Sequence, residues 1–70
     1  MMHRFYLPPE QCRGETLFLS ESEARHAVQV LRLRRGERVI VLNGAGLEFL
    51  CETGESERGE VSLAILEKQA

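Results

Sequence analysis

Seventy residues permit one domain, and a chain this short buries only about 60% of its unfolded surface, so a cofactor-binding catalytic domain is not expected within it. The net charge of −2 would argue against nucleic acid if it were evenly spread. No apolar run approaches the ~18 residues of a membrane span, and none follows Met1-Met2-His3-Arg4 to form a signal peptide.

The chain divides into short pieces. His3 to Leu7 predicts a strand, stopped by Pro8-Pro9. Thr16 to Leu19 predicts a second strand, entered through Gly14. Ser20-Glu21-Ser22-Glu23 has the spacing of a capping box, with Ser20 and Glu23 each serving the other's amide. A helix is expected from Glu21 to Leu33, ending at Gly36. Ala24, Ala27, Val28 and Leu31 share one face of it. Arg38 to Leu42 is a third strand, and Asn43-Gly44-Ala45-Gly46 a hairpin turn. Leu47 to Glu52 is a fourth strand, Gly54 to Gly59 a polar turn, and Glu60 to Leu66 a fifth strand. The expected fold class is mainly β (α+β): a small, closed or half-closed β-barrel of about five strands plugged by one helix. Closure would remove exposed strand edges.

The charge is uneven. Arg25, Arg32, Arg34, Arg35 and Arg38 stand against one acid, Glu37, a local +4 that leaves −6 on the rest of the chain. On an ideal helix Arg25, Gln29 and Arg32 lie within about 60° of one another. Arg34 and Arg35 carry the charge into the following turn. Arginine's planar fork suits phosphate oxygens and stacks on unpaired bases. Cations at a helix end also satisfy free carbonyls and the negative end of the dipole, which accounts for two or three arginines but not five. His26 lies away from the apolar face. It is either a surface or capping histidine, or a residue that stacks on a base or holds a neighbouring loop. Arg4-Phe5 is either an exposed arginine beside a core phenylalanine, or a backbone contact beside a stacked base.

Other chemistry finds little support. Cys12 and Cys51 do not form a CxxC pair and are expected as reduced thiols, packed as small apolar groups, in a cytoplasmic protein. A zinc site needs about four ligands, and the two histidines are not spaced to complete one. Gly44-Ala45-Gly46 begins like a nucleotide-binding loop, but a strand follows it instead of a helix. The chain has no aspartate and no Ser-His-Asp set, so no catalytic constellation is expected in this segment.

Arg4-Phe5, Glu23-Ala24-Arg25-His26, Val30-Leu31-Arg32-Leu33, Gly36 and Gly44-Ala45-Gly46 occur in collinear order over almost the whole chain. In these residues the sequence resembles the N-terminal region of the ribosomal RNA small subunit methyltransferase E family. The resemblance implies a PUA-like RNA-binding β-barrel over residues 1–70. It implies a knotted SPOUT-type domain after Ala70 that binds S-adenosylmethionine and methylates N3 of a uridine in small-subunit ribosomal RNA. It also implies a homodimer joined mainly through the knotted domain. Neither cofactor nor metal is expected in this segment. Asn43 stands where the family has an aspartate before the first turn glycine. Asparagine keeps the turn chemistry, and any role for a carboxylate there is in doubt.

Three functions are therefore expected to compete, the third being an independent small barrel with an unrelated ligand. In the first, the domain binds RNA through Arg4, Arg25, His26, Arg32, Arg34 and Arg35, with the arginine-rich stretch on phosphates and Arg4 and His26 near unpaired nucleotides. In the second, the barrel serves protein interaction or dimerisation without RNA.

Overall fold

Alternation writes the core. The computed structural model describes residues 3–57 and 59–70. Five strands form one sheet: β1 (His3–Tyr6), β2 (Thr16–Ser20), β3 (Arg38–Leu42), β4 (Glu48–Glu57) and β5 (Glu60–Gln69). Every second residue points inward. Phe5 on β1, Leu17 and Leu19 on β2, Val39 and Val41 on β3, Phe49 and Cys51 on β4, and Val61 and Leu63 on β5 are all buried. Leu7, Ala24 and Ala27 complete the cluster.

The sheet order is β1-β3-β4-β5-β2. β1 runs parallel to β3, with His3 opposite Val39 and Tyr6 opposite Leu42. The β3–β4, β4–β5 and β5–β2 pairs are antiparallel. β1 and β2 are the two edges of the sheet. The architecture is thus a mainly β, curled half-barrel with one helical segment, and the full closure that would remove strand edges is absent among the described residues.

The helical segment is shorter than the sequence predicts. A regular helix, α1, covers only Glu21–Arg25. His26–Val30 forms a wider turn in which the Leu31 amide donates to the His26 carbonyl at 3.0 Å. Arg32 then takes a left-handed backbone (φ 54), and the Leu33 amide closes on the Ala27 carbonyl at 3.0 Å. Two β-branched residues, Val28 and Val30, weaken the second helical turn. The wider turn keeps Ala27 buried and returns Leu31 and Leu33 to the core, while Val28 is exposed. The capping box does not form either. Ser20 makes no side-chain cap bond, because Glu21, which should continue directly into the helix, has φ 52.

β4 and β5 are longer than expected. The polar turn predicted over Gly54 to Gly59 is mostly strand, since β4 continues to Glu57 through a bulge between Thr53 and Ser56. Ser62 sits in the bulge and accepts a bond from the Glu55 amide at 3.0 Å. A side chain at Gly54 would collide with the Ser62 hydroxyl. A single 3-10 turn, Pro9–Gln11, follows β1.

Candidate nucleic-acid interface

A cleft of about 580 Å3 lies between the free edge of β1 and the helical segment. One wall is β1. Since Phe5 points inward, Arg4 and Tyr6 point outward. The other wall carries Ser22, Glu23, His26 and Leu31. His26 opens the wide turn, a distortion found often at functional sites. Arg4 and His26, distant in sequence, therefore line one cleft.

The other predicted residues lie elsewhere, and all six are exposed. Arg25 and Gln29 border a smaller hollow with Ser56 and Gly59 of the β4–β5 hairpin. Arg32 leaves the predicted helical stripe because the left-handed backbone at this position ends the helix. Arg34 and Arg35 form a tight turn in which the Arg34 amide donates to Glu37 Oε1 at 2.9 Å. That turn is clamped to β4: the Gly36 amide donates to the Thr53 carbonyl and the Thr53 amide to the Glu37 carbonyl, both at 2.7 Å. The Arg35 guanidinium lies 3.6 Å from Glu55. Both side chains are largely exposed, so the pair contributes little stability and leaves Arg35 accessible to other anions.

The alternatives left open for Arg4-Phe5 are resolved in geometry. Phe5 is 7% exposed and belongs to the core, so it offers no ring to a base. Its neighbour Tyr6 is 55% exposed and lines the cleft. Sequence reasoning missed Tyr6. The signal was present in the two-residue period, which puts Tyr6 outside once Phe5 and Leu7 are inside.

Asn43 has a structural task. Its buried Oδ1 accepts from the Ala45 amide at 2.8 Å and the Leu47 amide at 3.1 Å. A carboxylate could accept the same two bonds, so asparagine fills the position without loss of the turn. The turn holds Gly44 at φ 75 close against the edge of the Tyr6 ring.

The thiols are not poised for reaction. Burial, and then the nearby charge of Glu10, pushes Cys12 up. Burial, and then the charge of Cys12, pushes Cys51 up to about 11. Both are free cysteines, and neither has the lowered pKa of a nucleophile. Among the described residues no group of three or more His, Cys, Asp or Glu is arranged to hold a metal ion. Among the same residues no helix is long and apolar enough to cross a membrane.

The family model for RNA methyltransferase PUA domains matches residues 19–66. No match is found among the curated proteins. Among solved structures, ribosomal RNA small subunit methyltransferase E from Neisseria gonorrhoeae, bound to S-adenosyl methionine, is 30% identical with a TM-score of 0.81. The match covers 100% of this chain and 29% of that one. A Legionella pneumophila protein described as a methyltransferase, in complex with the cofactor SAM, is 29% identical with a TM-score of 0.84 over 99% of this chain and 28% of its own. A Thermotoga maritima protein described as an RNA methyltransferase is similar in fold, with a TM-score of 0.78 at 22% identity over 96% of this chain and 30% of its own. The chain thus spans less than a third of the length of the structures it matches.

Proposed function

Because this chain belongs to the family of RNA methyltransferase PUA domains, we propose that it is the RNA-binding domain of an S-adenosylmethionine-dependent ribosomal RNA methyltransferase. The observation that carries the reading is the cleft in which Arg4 and His26 meet, with exposed arginines at the end of the helical segment beyond it. Arg25, Arg32, Arg34 and Arg35 take backbone phosphates, while Arg4 and His26 contact unpaired nucleotides. The substrate is N3 of a uridine in small-subunit ribosomal RNA: the uridine N3 follows the resemblance in sequence alone, and the small-subunit RNA is also in keeping with the name of the Neisseria relative. The enzyme acts in the cytoplasm as a homodimer.

The residues of this chain do not fit the methyl donor. Its one Gly-x-Gly closes the β3–β4 hairpin, and Gly44 is covered by the Tyr6 ring. A donor loop needs glycine backbone left open to the ligand. The reading therefore assigns donor binding and methyl transfer to a knotted SPOUT-type domain following Ala70, and gives this domain the task of holding RNA.

A salt titration tests the reading. Binding of a single-stranded ribosomal RNA fragment should weaken with salt, at a log–log slope of about −0.7 per phosphate contacted. Salt-independent binding, or no binding even at low salt, overturns it.

A further inference from the structure

We infer that the Tyr6 ring is a stacking platform for an unpaired RNA base, so that the cleft takes a base while the arginines beyond the helical turn take phosphates. The inference rests on the RNA-binding reading above and adds to it the residue that would hold the base.

Three observations carry it. The first is position. Tyr6 is an aromatic side chain with more than half its surface exposed, and it lines the cleft beside β1. Exposed tyrosines are frequent at interfaces, where a rigid ring supplies contact area at low entropic cost.

The second is support. A Cβ on Gly44 would lie 2.7 Å from Tyr6 Cε1 and 3.3 Å from its hydroxyl. The Cε1–hydroxyl edge of the ring therefore packs against bare backbone, where no side chain fits. Gly44 is itself fixed by the turn that Asn43 closes. A ring held in this way loses little freedom when a ligand arrives.

The third is charge. Arg4 and Glu23 both line the cleft and their formal charges cancel, leaving two histidines, a serine and the exposed Tyr6 ring as the other polar and aromatic surface. Such a site has no excess charge to select phosphate. The Tyr6 ring offers a π-face, which every base can use, and the polar groups offer bonds to base edges. The volume of about 580 Å3 lies within the ~300–1,000 Å3 of small-ligand sites. A base already stacked in a duplex is not available to this ring, so single strands should be preferred.

The chain contains one tyrosine and no tryptophan, so its intrinsic emission reports on Tyr6 alone. The protein is titrated with an oligouridylate of about eight nucleotides, within the ~4–16 nucleotides typical of small barrels. A parallel titration uses inorganic polyphosphate, which carries charge without bases. Binding is followed independently by competition against a labelled oligonucleotide. The expected result is quenching of tyrosine emission that saturates with RNA binding and is absent with polyphosphate. Tyr6→Leu should weaken RNA binding roughly 5- to 150-fold and leave polyphosphate binding unchanged, and Tyr6→Phe should bind RNA as wild type does. RNA that binds without changing the emission, or Tyr6→Leu that binds RNA normally, overturns the stacking assignment and leaves the RNA-binding reading intact. Failure to bind RNA at all overturns both. Should Tyr6→Leu fail to fold by circular dichroism, the wild-type emission decides alone.

Discussion

The two edges of the sheet each present an exposed aromatic ring near an arginine, yet their chemistry differs. At the β1 edge, Tyr6 shares its cleft with Arg4, His3 and His26, and one acid, Glu23. At the β2 edge, Phe18 is 50% exposed and shares a hollow with Arg35, Glu55, Glu57 and Glu60. Three carboxylates repel phosphate, and Arg35 is already beside one of them. The comparison teaches that an aromatic beside an arginine does not define a nucleic-acid site, because the surrounding charge decides which polymer can approach.

The largest expected effect separates the arginines from the glutamates. Arg32→Gln, Arg34→Gln and Arg35→Gln together should remove up to three phosphate contacts. At ~0.7 log units per contact, RNA affinity falls about 100-fold in 0.1 M salt and the salt slope flattens by about 2. Glu55→Gln, Glu57→Gln and Glu60→Gln together should not weaken binding. Equal losses in the two triple variants would overturn the assignment of phosphate contacts to these arginines. The two rings give the next contrast: Phe18→Leu should bind RNA within about twofold of wild type, since Glu55, Glu57 and Glu60 outnumber Arg35 in its hollow, whereas Tyr6→Leu should not.

Stability measurements probe what supports each edge. Asn43→Ala leaves the Ala45 and Leu47 amides without their acceptor and should cost about 2 kcal/mol in urea unfolding, while also loosening the backbone beneath Tyr6. Thr53 lies on the central strand β4, and its buried hydroxyl has no hydrogen-bond partner among the described residues. Thr53→Val should therefore stay within about 1 kcal/mol of wild type, on the stabilising side. The smallest effect at neutral pH concerns Cys51. The folded protein keeps this thiol protonated to about pH 11, whereas an unperturbed thiol titrates at 9.0. The stability it contributes is complete below pH 9.0 and is lost as the pH rises towards 11. Thermal melts of Cys51→Ser between pH 8 and 11 should lose part of this slope, if the variant's core packing holds. An unchanged slope would assign the alkaline loss to other groups.

Much of the sheet was legible because its signal is local. Val39, Val41, Val61 and Leu63 alternate with half-buried or exposed neighbours, and one buried face fixes their register. The resemblance to the methyltransferase family was equally legible in short motifs such as Val30-Leu31-Arg32-Leu33. The helix was misjudged because propensity and spacing do not reveal a left-handed arginine. Arg32 ends the segment at a residue type that seldom adopts that backbone, while Gly36, the expected stop, serves the clamp onto Thr53. The β4–β5 hairpin was cut short because Gly54 and the glutamates around it read as a turn. In fact Gly54 makes room for the Ser62 hydroxyl inside a bulge. Arg4 and His26 were singled out one at a time. Their meeting across a cleft depends on β1 pairing with β3 and on the wide turn after α1, and neither is written in a single segment.

The parallel pairing of β1 with β3 also sets an order of assembly. His3 reaches Val39 and Tyr6 reaches Leu42 only after the whole intervening stretch has been made. The antiparallel β3–β4 and β4–β5 hairpins, by contrast, join neighbours in the chain. Closing the longer loop carries the larger entropic cost. On a ribosome, β1 would therefore wait for β3 before finding its place. The face that carries Arg4 and Tyr6 would be among the last to take shape, so a nascent chain would not grip RNA until its sheet had been built.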